Sequence, residues 1–163
     1  MDNKAISALS QEQQTMLDWA LYYLALGIFI LPMVPGKKMP HIKWANRTDQ
    51  KPPADEARAW WRQWPGAQIG MATGVYSNID VLDFDSLEAI PQFEILAGPI
   101  PPDAPTVRTG RGLHVFFAHS PGLTNRAKIC GLDVDFRTTG GIVVLPPSLH
   151  KTGRRYQWER GLI

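Results

Sequence analysis

The spacing of apolar and polar positions changes along this chain, and the changes divide it into a helical beginning and a β-rich remainder. Leu17, Leu21, Leu24 and Ile28 recur at helical spacing behind Ser10-Gln11-Glu12-Gln13, a capping-box pattern with Ser10 at the N-cap, and Gly27 is placed to end the run. Phe29 to Val34 reads as a short strand, which Pro32 confines to a sheet edge or cuts short. Pro52-Pro53 opens a second helix over Ala54 to Trp64, with Ala57, Trp60, Trp61 and Trp64 as its apolar face. Ile69 to Thr73 and Ile79 to Phe84 read as two strands joined by a turn at Gly74 to Asn78. Asp85 or Ser86 caps a third helix over Leu87 to Leu96, which Pro91 makes short, kinked or late in starting.

Beyond Gly98 to Pro105, a proline-rich connection, the pattern is β. Thr106 to Thr109 and Leu113 to Ala118 bracket Gly110-Arg111-Gly112, a hairpin signal. Leu132 to Arg137 alternates, Gly140-Gly141 leads into Ile142 to Leu145, and Tyr156 to Trp158 adds a last strand. The predicted fold class is α+β: helices early, then a mostly antiparallel sheet.

The 14 glycines and 14 prolines among 163 residues suit many turns and short strands, and 44% hydrophobic with 20% charged residues is ordinary for a globular chain. Cys130 is the only cysteine, so the chain makes no internal disulfide and no multi-cysteine zinc site, which fits a reducing, cytoplasmic compartment. Met1-Asp2-Asn3-Lys4 lacks the features of a signal peptide, and the longest apolar stretch, Leu21 to Val34, contains Gly27 and Pro32, so no membrane span is expected. Charge is uneven. From Trp61 to Val107 a single basic residue, Arg62, stands against six acids; from Arg108 onward there are nine basic residues and three acids. An acidic centre beside a basic half can hold a metal in one and phosphates in the other.

Candidate chemistry begins at Val81-Leu82-Asp83-Phe84-Asp85, where two acids interrupt an apolar run. In a strand Asp83 and Asp85 share one face, about 6.6 Å apart at Cα, while Leu82 and Phe84 face a core. Two anions side by side call for a cation, and oxygen donors suit Mg²⁺ or Mn²⁺. A strand end with Asp85 capping the next helix accounts for the pair equally simply. Two more strands carry ionisable residues: His114, and Asp133 with Asp135. Carboxylates on neighbouring strands can bind two divalent ions for an in-line displacement, with His114 on phosphate oxygens or assisting proton transfer. Arg108-Thr109-Gly110-Arg111-Gly112 supplies guanidinium forks, and glycines that let backbone N–H groups approach an anion. Pro35-Gly36-Lys37-Lys38, with Lys43, Trp44 and Arg47, suits a nucleic-acid or triphosphate contact, or a plain surface loop.

The ordered set Asp83-x-Asp85, Gly110-Arg111-Gly112-Leu113-His114, Asp135-Phe136-Arg137-Thr138-Thr139-Gly140-Gly141 and Pro146-Pro147-Ser148 resembles the bifunctional primase-polymerase (Prim-Pol) N-terminal domain of the archaeo-eukaryotic primase superfamily. The resemblance spans nearly the whole chain, from Pro35-Gly36-Lys37-Lys38 and Trp44 to His150, Gly153, Tyr156 and Trp158. It implies a single catalytic domain over 1–163, an N-terminal part over about 1–78 packed on an RRM-like catalytic sheet over about 79–163, cut from a larger replication protein of a phage, plasmid or mobile element. It further implies a template-directed DNA primase and DNA polymerase acting on single-stranded DNA template, primer and dNTP or NTP, with a helicase or helical domain in the longer chain and no membrane partner. By the same resemblance Asp83, Asp85 and Asp135 are metal ligands for two Mg²⁺ or Mn²⁺ ions and His114 contacts the nucleotide's phosphates; the turn's Arg108, Arg111 and Gly112, and Arg137 two residues beyond Asp135 on the same strand face, are the further candidates to meet the nucleotide. No zinc is expected. Alternation alone puts Asp133 on the same face as Asp135, and only the resemblance chooses between them. Gly112 stands where related primases carry a serine, so a hydroxyl contact to phosphate has to come from elsewhere or be lost. A non-catalytic DNA-binding replication module and a metal-dependent nuclease are the alternatives, since basic sheets bind nucleic acid without metals and paired carboxylates serve hydrolysis too.

Overall fold

In a computed structural model, which describes residues 15–47 and 50–161, the first helix starts at its own capping box. The Asp18 N–H donates to Thr15 Oγ1 at 3.1 Å and the Thr15 N–H to Asp18 Oδ2 at 3.2 Å; the Ser10 to Gln13 pattern lies outside the described residues. Helix α1 spans Met16–Ala25, and Gly27 takes the left-handed conformation beyond it, at φ +87°. Its buried stripe is Trp19, Ala20 and Tyr23, with Leu17, Leu21 and Leu24 half-buried beside it. The leucine spacing identified the helix but not its innermost face. Tyr23 goes deepest because its hydroxyl is satisfied there, donating to the Pro146 carbonyl at 2.8 Å and accepting from Trp158 Nε1 at 2.8 Å. Helix α2, Ala54–Gln63, follows Pro53 and buries Ala57, Trp60 and Trp61.

Among the described residues eight strands form two antiparallel sheets: β1 Ile30–Met33, β2 Gln68–Ala72, β3 Ile79–Phe84, β4 Thr106–Arg108, β5 Leu113–Ala118, β6 Val134–Arg137, β7 Ile142–Val144 and β8 Gln157–Arg160. The smaller sheet has the order β1-β2-β7 and the larger β6-β3-β5-β4-β8. Pro32 lies in β1, an edge strand, where its missing N–H leaves no gap in the ladder. Strands β2 and β3 follow one another in sequence but belong to different sheets. Ser77 fixes the crossing between them, donating to the Ala72 carbonyl at 2.7 Å and accepting the Phe29 N–H at 2.9 Å. Strand β7 comes late in the chain yet completes the smaller sheet, so a division near residue 78 does not separate the two sheets cleanly. The Thr73 hydroxyl, donating to the Thr138 carbonyl at 2.6 Å, anchors that return.

Helix α3, Ala89–Ala97, begins late enough to put Pro91 in its first turn, where no intrahelical N–H is required. It covers one face of the larger sheet, packing Ala89 and Phe93 on Leu82, Phe84, Leu113, Val115 and Val134. The smaller sheet with α1 and α2 closes the other face, in one continuous core with Val81, Val107 and Phe116. Among the described residues no helix is long and apolar enough to cross a membrane.

Candidate active site between the two sheets

Strand register makes the site. Asp83 on β3 lies directly opposite His114 on β5 and Asp135 on β6. Opposed residues of antiparallel strands share a face with Cβ atoms about 4.5–5.5 Å apart, so Asp135, Asp83 and His114 form a row across three strands. All three are buried, at 9%, 5% and 3% exposure. The next row, with Val81 and Phe116, is core, so the polar row lies where the interior opens to solvent. Asp85 lies just past β3 and is exposed, and Asp133 precedes β6, also exposed, with its carboxylate 2.7 Å from Lys128 Nζ. Asp133 still meets β3, its carbonyl accepting the Asp85 N–H at 2.9 Å, and it lines the same cleft as Asp83 and Asp85.

Each buried carboxylate has cations around it. Asp83 Oδ1 is 3.2 Å from His114 Nε2, and Oδ2 is 3.5 Å from Lys38 Nζ, which also stands 4.0 Å from Asp85 Oδ1. Asp135 accepts the Lys128 backbone N–H at 2.9 Å and Arg137 Nη2 at 2.5 Å. Burial pushes the Asp83 pKa up, but the charge and hydrogen bond of His114, with Lys38 and Arg137 behind them, outweigh it and hold the carboxyl well below the usual range. His114 Nδ1 and Arg137 Nε are buried without partners.

Asp83 and His114 open into a cleft of about 560 Å³ that is also lined by Asp85 and Asp133 and by Arg111, His150 and Lys151, while Asp135 is not part of its lining. Lys38 and Tyr156 line both this cleft and a smaller hollow of about 170 Å³ that includes Lys37. Burial lowers the His150 pKa, and Lys151, Arg111, Lys38 and His114 lower it further, a measure of how cationic this wall is. Burial raises the Tyr156 pKa, and Asp83 and Asp85 add to the rise.

The turn before β5 is shaped by close approach. A Cβ on Gly112 would lie 1.8 Å from the Phe84 carbonyl oxygen, and one on Gly110 would lie 2.1 Å from His150 Nδ1. The Gly112 N–H donates to Thr109 Oγ1 at 2.9 Å, so it is used within the turn and not held free for an anion. Thr109 and Ser86 are the hydroxyl-bearing threonine and serine of the cleft wall, the Thr109 oxygen accepting from the Gly112 N–H and the Ser86 hydroxyl bonded to Glu88. The structure does not bring Arg108 to the cleft: its guanidinium bonds to Glu159 Oε1 at 2.7 Å, because adjacent strand residues face opposite ways and its neighbour Val107 is the one opposite His114. Arg137 lies on the Asp135 carboxylate. Lys38, in the turn whose lysines suit a triphosphate contact, reaches the cleft together with His150, Lys151 and Tyr156. His150 and Tyr156 belong to the resemblance without a site role and Lys151 carries no signal of its own; tertiary packing brings the three together.

Among the described residues no three of His, Cys, Asp and Glu are gathered closely enough to hold a metal ion as they stand. The donor chemistry nevertheless fits a hard divalent cation at Asp83 and Asp85, because carboxylate oxygens are its preferred ligands and the Lys38 ammonium already fills a cation position between them. Asp135 does not line the cleft and has both oxygens bonded, to the Lys128 N–H and to Arg137, so it would hold a cation only in exchange for one of those bonds. A family model described as "Bifunctional DNA primase/polymerase, N-terminal" matches residues 20–162. No curated protein matches the chain.

Proposed function

This chain belongs to the bifunctional DNA primase/polymerase N-terminal family, and from that premise we propose that its cleft performs template-directed nucleotidyl transfer, joining a primer 3′-hydroxyl to the α-phosphate of a dNTP or NTP with release of pyrophosphate. The observation that carries the reading is the buried Asp135–Asp83–His114 row, whose Asp83 and His114 open, with Asp85 and Asp133, into a cleft with a cationic wall. Asp83, Asp85 and Asp135 would hold Mg²⁺ or Mn²⁺, which would supply charge neutralisation at the reacting phosphate and activation of the attacking oxygen.

The protein's own contribution is placement. His114, fixed by Asp83 and packed 5.8 Å centroid to centroid from Tyr156, orients the Asp83 carboxylate and faces the triphosphate. Arg111, His150 and Lys151 receive the phosphates, and Arg137, which holds the Asp135 carboxylate in this structure, would join them if a metal ion took its place there. Gly112 serves the turn that holds Arg111 and Thr109 at the cleft. The strand order β6-β3-β5-β4 with α3 between β3 and β4 supports an RRM-like sheet, and β7 binds the two sheets into one catalytic domain. Single-stranded DNA template and primer are the partners of this reaction, with a helicase or helical domain elsewhere in a longer chain serving initiation.

Primer extension on a single-stranded template with Mg²⁺ or Mn²⁺ tests the reading. Incorporation by the wild type and none by Asp83→Asn, with both folded, is expected. Template binding that persists in EDTA without any incorporation would indicate a DNA-binding module, and degradation of DNA with Mn²⁺ but no nucleotide a nuclease.

A further inference from the structure

Lys38 contacts both acids, yet it is not tied to them. Its side chain is 63% exposed, and its ammonium lies between Asp83 and Asp85 at the mouth of both hollows. The backbone that carries it is fixed. The Val34 N–H donates to the Met39 carbonyl at 2.9 Å and the His41 N–H to the Pro32 carbonyl at 2.8 Å, closing the Pro35 turn onto the end of β1. A long flexible arm on a fixed base can move its charge by several ångströms without moving the fold.

Resting on the nucleotidyl-transfer reading, we propose that Lys38 is an exchangeable internal cation: it neutralises Asp83 and Asp85 in the metal-free protein, is displaced by the divalent ion, and then binds the triphosphate in the adjoining hollow beside Lys37, His150 and Lys151. Two cations cannot share the space between two carboxylates, so metal entry repels the ammonium. The nucleotide's phosphate chain, bound in the same cleft, is then an anion within its reach. The exchange couples the two ligands: metal binding frees the lysine that nucleotide binding needs, and each raises the affinity for the other.

The test is Mn²⁺ binding, followed by the electron paramagnetic resonance of free Mn²⁺, with and without the non-reacting α,β-imido analogue of dATP. Lys38→Met keeps the aliphatic stem and removes the charge. It is expected to tighten Mn²⁺ binding without nucleotide by about fivefold and to weaken analogue binding at saturating Mn²⁺ by a similar factor. Lys37→Ala removes the same charge from the same turn without touching the acids, and is expected to change nucleotide-free Mn²⁺ affinity by less than about twofold. Unchanged or weaker Mn²⁺ binding in Lys38→Met, with binding abolished by Asp83→Asn, overturns the exchange and leaves the metal assignment standing. Mn²⁺ binding that Asp83→Asn does not reduce, or its absence from both wild type and Lys38→Met, overturns both.

Discussion

Strand β3 carries two buried aspartates, each beside a histidine from the strand β5 segment, and they have opposite fates. Asp80 is 1% exposed, with one oxygen 2.9 Å from His119 Nδ1 and the other accepting the Ser120 N–H at 2.8 Å. Every partner there comes from the chain turning out of β5, so the carboxylate is satisfied by the fold itself. Asp83, three residues on and on the opposite face, stands directly across from another carboxylate, and its second oxygen relies on an exposed lysine side chain. The same residue types on the same strands thus make a structural pin at one end and a site at the other. What differs is whether the fold supplies the compensating charge permanently or leaves it to something that can leave. Buried polar groups in the first condition hold a structure together; in the second they are available to a ligand.

Substitution at the two aspartates separates these roles. Asp83→Asn is expected to lower nucleotide incorporation at least about a thousandfold, as loss of an essential charge does in preorganised sites, with far-ultraviolet circular dichroism unchanged. Wild-type extension by this variant would break the contrast at once. Asp80→Ala is expected to do the reverse. Removing one partner of a buried, hydrogen-bonded pair costs about 3–5 kcal/mol, read as a lower denaturant midpoint, while incorporation per folded molecule stays within about threefold. Acid unfolding probes the same difference. The folded pKa of Asp83 is lowered, so its charge contributes stability that is present above the ordinary carboxylate pKa of about 4 and is lost as pH falls through the folded value. Urea midpoints measured from pH 5 to pH 2 are expected to fall for the wild type, and less steeply for Asp83→Asn.

A smaller effect is expected at Gly112, which couples the site to the frame. Gly112→Ala drives a Cβ toward the Phe84 carbonyl oxygen, and overpacking of this kind costs about 1–3 kcal/mol. Because the clash falls between the end of β3 and the turn before His114, incorporation is expected to drop further than stability predicts. Equal losses in the two measurements would mean that the turn is only structural.

The contrast between pin and site also bears on how much of the molecule is legible in its residues. Hydrophobic period, prolines and glycines mark both early helices, the edge character of β1 and the late start of α3, because those features are local. The row Asp83, His114 and Asp135 is legible because burying an ionisable side chain in an apolar alternation costs stability unless a partner or a ligand compensates it. The pairing of β7 with β2 is not, since Ile142-Val143-Val144 carries no mark of which sheet it will join. Tyr156 is equally hidden: nothing in Arg155-Tyr156-Gln157 distinguishes a cleft tyrosine from a core one until packing sets its ring 5.6 Å from His150. Asp80 shows the converse, a buried acid in an apolar strand whose partners, His119 and Ser120, make it a pin.

The Gly110 turn holds the last and smallest contrast, between two arginines three residues apart. Arg111 lines the cleft, while Arg108 lies in β4 with its guanidinium on Glu159 across to β8. Both side chains of the Arg108–Glu159 pair are more than one-third exposed, at 47% and 38%, so their attraction is screened and its net value is below about 1 kcal/mol. Arg108→Ala is therefore expected to move the denaturant midpoint only slightly and to change nucleotide affinity by less than about twofold, while Arg111→Ala weakens nucleotide binding about tenfold through the loss of a charge-assisted phosphate contact. Fluorescence titration with a labelled dNTP in Ca²⁺ distinguishes the two. Equal loss in both variants would mean that Arg108 leaves Glu159 to reach the phosphates, and the cleft would then extend along β4 beyond the row that Asp83 defines.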